Sequence, residues 1–285
     1  MTIVVAGDVM ADVVVTLSGP VAHGSDTPAR IAHRGGGAAA NLAVWLARAG
    51  AGVHLIGRVG DDAAGRAVAE ELAAAGVAGV PQIDPALGTG TCVVLVEPGG
   101  ERSMLPDAGA NAALAATPLP EGAVHLHVAG YALLHPGSRP AARALLAQAR
   151  AAGVPVSVDP SSAAPLAREP AFLEWVAGAD LLLPNRAEAA VLAGTDDPEA
   201  AARTLAARGR EVVVTLGAEG ALWTDGEAVV RAPAVAAGAT ADTTGAGDAF
   251  AAGLLAARLG GAAPAEALAA GCALAAGAVA RNGAR

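Results

Sequence analysis

The most informative absence in this sequence is lysine: all 18 of its basic side chains are arginines. This absence excludes the P-loop lysine, the strand lysine of protein kinases and the Schiff base of pyridoxal phosphate enzymes. Aromatic residues make up only 2% of the 285 residues, whereas 54% are hydrophobic. We therefore expect a core of alanine, valine and leucine, and a chemistry that depends on carboxylates, backbone amides or a bound metal.

Cysteine and positive charge are also scarce. Cys92 and Cys272 are the two cysteines, and neither has a metal-binding partner at short spacing, which excludes a disulfide framework and a zinc site. Both are predicted to be small apolar core residues. A net charge of −9 argues against nucleic acid or an anionic membrane as a partner, although backbone amides can still bind a phosphate group.

Long hydrophobic runs are absent too. Asp8 and Asp12 interrupt the apolar N-terminal stretch, which also lacks the basic start of a signal peptide. The apolar stretch 267–280 is too short to span a bilayer. These features predict a cytoplasmic protein.

Short apolar runs that alternate with helical patterns predict a mainly parallel α/β fold. The predicted strands are Thr2–Ala6, Val53–Ile56, Val124–Val128, Val154–Val158, Leu181–Leu183 and Val212–Leu216. The predicted helices are Asn41–Ala49, Ala63–Ala75, Ser138–Ala151, Arg186–Ala193, Pro198–Ala207, Asp248–Leu259 and Pro264–Arg281. This order is that of a three-layer, doubly wound sheet, and without repeats or long linkers we expect one domain over residues 1–285.

Four β-like segments do not fit this alternation, because no helices lie beside them. They are Val13–Leu17, Ala29–Ile31, Thr91–Glu97 and Glu101–Leu105, the last two joined by a hairpin signal at Pro98-Gly99-Gly100. We expect a small β-sheet built from segments 10–32 and 88–108 at the edge of the main sheet. Such a sheet is either a lid over a ligand site or a plain structural hairpin.

The strongest local motif leads into the helix that starts near residue 248. It reads Thr243-Thr244-Gly245-Ala246-Gly247-Asp248, and its small residues allow successive amides to converge at a helix N-terminus, where an anion is favoured. Asp248 could accept the proton of an attacking hydroxyl there, or simply stabilise the helix dipole. Asp242, in the preceding loop, could cap the turn or bind a cation.

A second glycine cluster, Gly35-Gly36-Gly37, precedes Asn41 and matches the pattern of a dinucleotide-binding fingerprint. The match argues only weakly for a nicotinamide oxidoreductase, because Arg30, His33 and Arg34 precede it in place of a buried strand. The glycines could instead let the backbone approach a ligand. Asn41 could then bind ligand hydroxyls, or cap the helix.

Polar residues also follow several predicted strands, where α/β sheets bind ligands. Asp8 and Asp12 follow the first strand and could accept hydrogen bonds from sugar hydroxyls. Asn185 could cap the helix that contains Glu188, which could hold magnesium through water. Thr215, Gly217 and Gly220 follow another strand and would allow a nucleotide to approach. A serine hydrolase is excluded because the sequence has no G-x-S-x-G elbow.

Taken together, these motifs resemble those of the ribokinase-like (PfkB) carbohydrate kinases over essentially the whole chain. One signature runs from Gly36 to Asn41 and continues through residues 57–65, and the other runs from Asp242 through Asp248 to Gly253. The resemblance implies transfer of the γ-phosphoryl group of MgATP to a hydroxymethyl group of a sugar-like substrate. It also implies a central sheet with helices on both faces, a β-lid, and a homodimer formed through that lid.

The resemblance implies specific roles as well. Asp248 is the expected general base, with Gly245, Ala246 and Gly247 as the anion hole, and substrate hydroxyls are expected at Asp12, Gly36, Gly37 and Asn41. For ATP the expected residues are Asn185, Thr215, Gly217, Gly220, Cys272 and Asn282. Metal ions are expected at Glu188 for Mg²⁺, and at Asp242 and Thr244 for a monovalent cation such as K⁺.

Two departures from the ribokinase pattern bear on the acceptor. Met10 stands where ribokinase has an asparagine, and Gly130 stands where a ribose-binding carboxylate is expected. Both argue against ribose, whereas another sugar, a keto-deoxy sugar acid or a nucleoside fits equally well. The alternative to a kinase is a relative that binds sugar or nucleotide without turnover, and the presence of Asp248, Asn185 and Glu188 argues against it.

Overall fold

The structure is a computed structural model that describes residues 2–79, 81–236, 243–280 and 283–285. Its strands are β1 Thr2–Ala6, β2 Met10–Leu17, β3 Ala29–Gly36, β4 Gly52–Ile56, β5 Arg58–Gly60, β6 Gln82–Asp84, β7 Gly90–Val96, β8 Arg102–Asp107, β9 Ala123–Ala129, β10 Val156–Asp159, β11 Leu181–Leu182, β12 Glu211–Thr215, β13 Ala221–Thr224 and β14 Val229–Ala232. Its α-helices are α1 Ala38–Arg48, α2 Ala63–Ala74, α3 Tyr131–Leu134, α4 Arg139–Ala151, α5 Ala163–Leu166, α6 Phe172–Trp175, α7 Arg186–Ala193, α8 Pro198–Ala206, α9 Ala246–Leu259 and α10 Pro264–Val279. The predicted positions 242 and 282 lie outside the described residues.

The main sheet has eight strands in the order β14-β13-β12-β11-β10-β9-β1-β4. The strands from β12 to β4 run parallel, while β13 and β14 form an antiparallel edge. Alternate residues of β1 enter different cores: Ile3 and Val5 pack with α1 and α9, and Val4 and Ala6 pack on the opposite face. Both faces are therefore covered, as in a doubly wound fold.

The chain leaves β1 toward β4 on one side and later adds β9 on the other. The strand order thus changes direction beside β1, and the carboxyl ends of strands at such a point form the usual ligand crevice of α/β sheets. The loops that begin at Gly7, Gly130 and Pro160 all leave this crevice. The fold therefore predicts a site there.

A smaller sheet of order β3-β2-β7-β8 packs beside the main one. Side chains alternate between its two faces: Asp12, Cys92 and Pro106 share one row on the inner face, while Val13, Val93 and Leu105 share a row on the outer face. The hairpin predicted at residues 98–100 joins β7 to β8, with Gly100 N donating to the Glu97 carbonyl. The predicted second sheet is confirmed, with β2, β3 and β8 longer than expected.

Several boundaries differ from the predictions. Helix α1 begins at Ala38 and not at Asn41, because the Asp8 carboxylate accepts hydrogen bonds from the Ala38 and Ala39 amides and so caps the helix from another element. Asn41 is therefore not the N-cap of α1, and that alternative is wrong. The antiparallel edge strands β13 and β14, of four residues each, were not predicted.

Two histidines lie buried in the centre of the sheet. His125 Nε2 and His127 Nδ1 both lie 2.8 Å from the Ser157 hydroxyl, and burial lowers their pKa values to about 4 and about 3. Both are therefore neutral near pH 7, and Ser157 donates to one ring and accepts from the other. They form a polar network inside the fold and line neither of the two cavities described below. No helix among the described residues is long and apolar enough to cross a membrane.

Candidate active site

Two adjoining cavities occupy the crevice at the carboxyl ends of the parallel strands. The smaller cavity, of about 160 Å³, is lined mainly by residues that follow β10, β11 and β12 and by the start of α9. The larger cavity, of about 590 Å³, lies between the main and smaller sheets. Ala38, Ser161, Gly245 and Asp248 line both. Asp248 therefore stands where the two cavities meet.

Asp248 lies in the first turn of α9, whose N-cap is Gly245. The Asn41 side-chain amide donates a hydrogen bond to Asp248 Oδ2 at 3.0 Å. The first N–H groups of a helix have no acceptor inside the helix, and they lie at the positive end of the helix dipole. At the start of α9 the Ala246 amide donates to the Thr243 carbonyl at 3.3 Å. A carboxylate and a helix terminus whose dipole favours an anion thus share one point in the crevice.

The N-terminus of α9 requires glycine at residue 245. Gly245 has a φ of +76°, and a Cβ there would collide with the Ala284 carbonyl oxygen. The same oxygen accepts a hydrogen bond of 3.0 Å from the Trp45 indole. Helix α1, the start of α9 and the C-terminal segment are therefore packed together around this turn.

Buried carboxylates dominate the electrostatics of the crevice. Burial raises the pKa of Asp248 well above its ordinary value, and the neighbouring Asp159 and Asp8 raise it further, while the Asn41 hydrogen bond lowers it. Burial also raises the pKa of Asp8, and it raises that of Asp12 to about 6. These groups resist ionisation together, so the crevice favours a bound cation or a proton.

Asn185 and Glu188 form a capping box at the start of α7. Asn185 Oδ1 accepts from the Glu188 amide at 3.0 Å, and Glu188 Oε2 accepts from the Asn185 amide at 2.9 Å. Both residues also line the smaller cavity, and burial together with Asp159 raises the pKa of Glu188. The predicted helix cap is confirmed, and it holds a buried carboxylate beside the cavity.

Asp159, which the sequence reasoning missed, lies at the end of β10 and lines the smaller cavity. Burial raises its pKa as well. Its position at a strand end is the same signal that identified Asp8, so the residue could have been found. Ser161 follows it with a φ of +72°, a left-handed conformation that costs energy in a residue other than glycine and places Ser161 between the two cavities.

The predicted substrate-binding residues lie together around the larger cavity. Asp12, Gly37 and Asn41 line it. Gly36 lies directly beneath the Asp12 carboxylate, which occupies the space that a Cβ at residue 36 would take. Asn41 Oδ1 is buried and has no hydrogen-bond partner in the part of the chain that the structure describes. An acceptor with hydroxyl groups could donate to this oxygen.

The residues predicted to bind ATP do not all lie around one cavity. Thr215 lines the smaller cavity with Asn185, whereas Gly217, Gly220 and Cys272 line neither cavity. Cys272 is 5% exposed and lies in the core, as its composition-based interpretation predicted. A contact between Cys272 and adenine stays a prediction.

Two contacts tie other parts of the chain to the crevice. Arg102 of β8 donates a hydrogen bond to the Thr244 hydroxyl, just before the α9 turn. Arg285 Nε donates to Glu71 Oε1 at 2.9 Å, and its charge lowers the pKa of Asp12. Neither arginine was singled out from the sequence. Arg102 links the smaller sheet directly to the loop that precedes α9.

Comparison with known proteins gives a consistent result. Residues 2–285 match the family described as pfkB family carbohydrate kinase. A fructokinase of Klebsiella pneumoniae is 36% identical over 253 residues, which cover 81% of this chain and 79% of that protein.

Solved structures agree in fold. Adenosine kinase from Sinorhizobium meliloti superposes with a TM-score of 0.89 at 26% identity, covering 99% of this chain and 95% of the other. A fructokinase double mutant from Vibrio cholerae O395, bound to fructose, ADP and potassium ion, gives a TM-score of 0.84 at 28% identity, with coverages of 99% and 93%. The predicted fold class is thus confirmed.

Proposed function

The chain belongs to the pfkB family of carbohydrate kinases, which are phosphotransferases acting on sugar hydroxyl groups, and we propose that Asp248 is its general base. In this proposal the acceptor occupies the larger cavity and the triphosphate of ATP occupies the smaller one. The γ-phosphoryl group then lies where the two cavities meet. The observation that carries the proposal is the position of Asp248, which lines both cavities and accepts a hydrogen bond from Asn41.

The proposed reaction transfers one phosphoryl group and one proton. The acceptor hydroxyl oxygen forms a bond to the γ-phosphorus while the bond to the β,γ-bridging oxygen breaks, and ADP leaves. Asp248 accepts the hydroxyl proton during this step. The amides at 245–247, at the start of α9, stabilise the charge on the transferring group, because donors fixed in advance need no reorganisation during the reaction.

The residues of the smaller cavity fit a magnesium ion bound with the nucleotide. Asp159 and Glu188 bring two buried carboxylates of raised pKa to this cavity, an arrangement that a cation would stabilise. Among the described residues no group of three or more His, Cys, Asp or Glu side chains could hold a metal ion, so phosphate oxygens and water would complete the coordination. When bound, the ion would neutralise phosphate charge. Potassium binding at Asp242 and Thr244 stays a prediction, since Asp242 lies outside the described residues.

The smaller sheet is the proposed lid. Its inner face lines the larger cavity, and Arg102 connects it to Thr244. Its outer face carries partly exposed apolar residues on neighbouring strands, including Val13, Val93 and Leu105. Apolar side chains on both faces support a homodimer formed through the lid, in a cytoplasmic protein. A monomer in light-scattering measurements would contradict this assembly.

The direct test of the proposed function is an ATP-dependent phosphorylation screen over pentoses, hexoses, sugar acids and nucleosides. We expect stoichiometric ADP and phosphorylated acceptor, with activity lost in excess EDTA and restored by Mg²⁺. Tight acceptor binding by calorimetry, without ADP formation across the whole panel, would identify a binding protein without turnover instead.

The variant Asn41→Leu should change the pH dependence of the reaction. The Asn41 amide stabilises ionised Asp248, so its removal raises the Asp248 pKa further. Because a base must be ionised to act, activity is lost as pH falls through this pKa, and the acid limb of the kcat/KM profile should move to higher pH. Near pH 7 we expect kcat/KM to fall roughly 10-fold to 100-fold, the usual range for a lost hydrogen bond to a charged group.

The pH profile separates this effect from a general packing defect. If Asn41 only fills space, the variant would unfold at lower temperature while its acid limb stayed in place. If Asn41 acts on Asp248, part of the lost activity should return at alkaline pH in a protein whose circular dichroism is unchanged.

A further inference from the structure

We infer that the acceptor is a neutral nucleoside, a pentose that carries an uncharged planar ring, and not a free monosaccharide or a sugar phosphate. This inference rests on the proposed function and concerns the larger cavity only. Its basis is the contrast between one polar end of that cavity and the rest of its lining.

The cavity is large enough for a ligand bigger than a monosaccharide. Its volume of about 590 Å³ lies within the roughly 300–1,000 Å³ of small-molecule sites. A nucleoside has roughly twice as many non-hydrogen atoms as a pentose and would bury more of its surface against this lining.

The charge of the cavity disfavours an anionic acceptor. Asp8, Asp12 and Asp248 line it, and its described lining contains no arginine. Among the nearby arginines, Arg102 donates to Thr244 and Arg285 Nε donates to Glu71. The buried Nη1 and Nη2 of Arg285 have no hydrogen-bond partner among the described residues, and its charge lowers the pKa of Asp12 and Asp248. A phosphate or carboxylate on the acceptor would therefore face like charge along the described lining, except beside Arg285.

Hydrogen-bonding groups for sugar hydroxyls are concentrated at Asp12, Asn41 and Asp248. From Asp12 the inner face of the smaller sheet continues across β7 to β8 through Cys92 to Pro106, with Val94 and Met104 in the next row. Two strand spacings cover roughly 10 Å. All four of these residues line the cavity, so an apolar surface extends well beyond the carboxylate.

The opposite wall is also apolar, and its polar side chains already have protein partners. Asn111 bonds to the backbone of Val9 on both its side-chain atoms, and Ser138 donates to the Ala132 carbonyl. His135 Nδ1 accepts from the Gly137 amide. A second hydroxylated ring would lose its bonds to water here, whereas a planar heterocycle could pack between Met104 and residues such as Leu134.

The test compares adenosine, inosine and uridine with ribose, methyl riboside and fructose. Binding is measured by calorimetry on the Asp248→Asn protein with a saturating non-hydrolysable ATP analogue, which fills the nucleotide site, and turnover is measured on the wild type. We expect at least one nucleoside to exceed ribose and fructose by about tenfold or more in both affinity and kcat/KM, with methyl riboside between them. Equal or better values for ribose or fructose would overturn the inference.

The binding arm keeps this inference separate from the proposed function. Nucleoside preference in binding without any turnover would support the inference and contradict the kinase mechanism. Turnover that favours a free sugar would support the kinase mechanism and contradict the inference.

A pair of variants tests the apolar surface itself. Met104→Ser, at a side chain 54% exposed on the inner face, should weaken nucleoside binding several-fold and leave ribose binding unchanged. Ile83→Ser, at a side chain 51% exposed that does not line the cavity, is the matched control and should change neither. Equal loss for both ligands in Met104→Ser would contradict a role in binding the ring.

Discussion

Replacing Asp248 with asparagine should lower kcat by about 10²-fold to 10⁴-fold, the range expected for loss of a general base. Asparagine has nearly the same shape and can still bond to Asn41 after one amide rotates, but it cannot accept the acceptor's proton. In the proposed function ATP binds in the smaller cavity through other groups, so its affinity should stay nearly unchanged. The measurement is ADP release at saturating substrates, with ATP affinity determined separately by calorimetry.

The same substitution should stabilise the fold. Because burial raises the Asp248 pKa above its ordinary value of 3.8, the folded protein binds a proton more tightly than the unfolded chain, and stability falls as pH rises through this range. A neutral amide removes that effect. We expect the Tm of Asp248→Asn to exceed that of the wild type by a few degrees near pH 7, roughly 2–4 °C per kcal/mol, and the difference to vanish at acid pH.

A matched control separates the loss of the catalytic base from the removal of a negative charge in general. Asp225→Asn removes a carboxylate of a surface turn, whose hydrogen bonds to backbone amides lower its pKa. It should not raise the Tm and should leave kcat unchanged. If Asp248→Asn retained most of the wild-type turnover, the assignment of the base would be wrong.

The parts of the site that follow from local patterns could be predicted from the sequence. The α9 turn can be predicted from Gly245 and Gly247, which stand immediately before Asp248. The Asn185–Glu188 cap can be predicted from two residues three positions apart at a helix start. In both cases the chemistry and the backbone conformation depend on neighbouring residues. The alternation of apolar runs predicted the main sheet for the same reason.

The remaining features depend on contacts between distant segments. Asn41 was assigned either to a cap or to a ligand, and its bond to Asp248 joins residues 207 positions apart. Helix α1 begins at Ala38, before its predicted start at Asn41, because Asp8, far from it in sequence, supplies the cap. The Arg102–Thr244 contact spans 142 positions, and no short pattern around either residue indicates it. Such pairs become visible only when the topology is known.

Gly245→Ala should be the second most damaging substitution, with kcat lowered roughly 10²-fold to 10³-fold, as for loss of a preorganised anion-binding donor. A left-handed conformation costs an L-residue about 1–2 kcal/mol, and the added Cβ would also meet the Ala284 carbonyl oxygen. The turn must therefore shift, which moves the amides at the start of α9 and disturbs the Trp45 bond to the same oxygen. Discontinuous ADP assays would measure the loss of kcat, and thermal melts would measure the loss of stability.

The control for Gly245→Ala is the same chemical change where nothing opposes it. Gly277 is exposed on α10, and a Cβ there meets no atom within 4 Å, so Gly277→Ala should keep full activity and gain up to about 1 kcal/mol from helix propensity. Full turnover and an unchanged Tm in Gly245→Ala would show that the turn tolerates a side chain. The anion-binding role of this turn would then lose its structural basis, because that role requires a backbone conformation that alanine cannot adopt without strain.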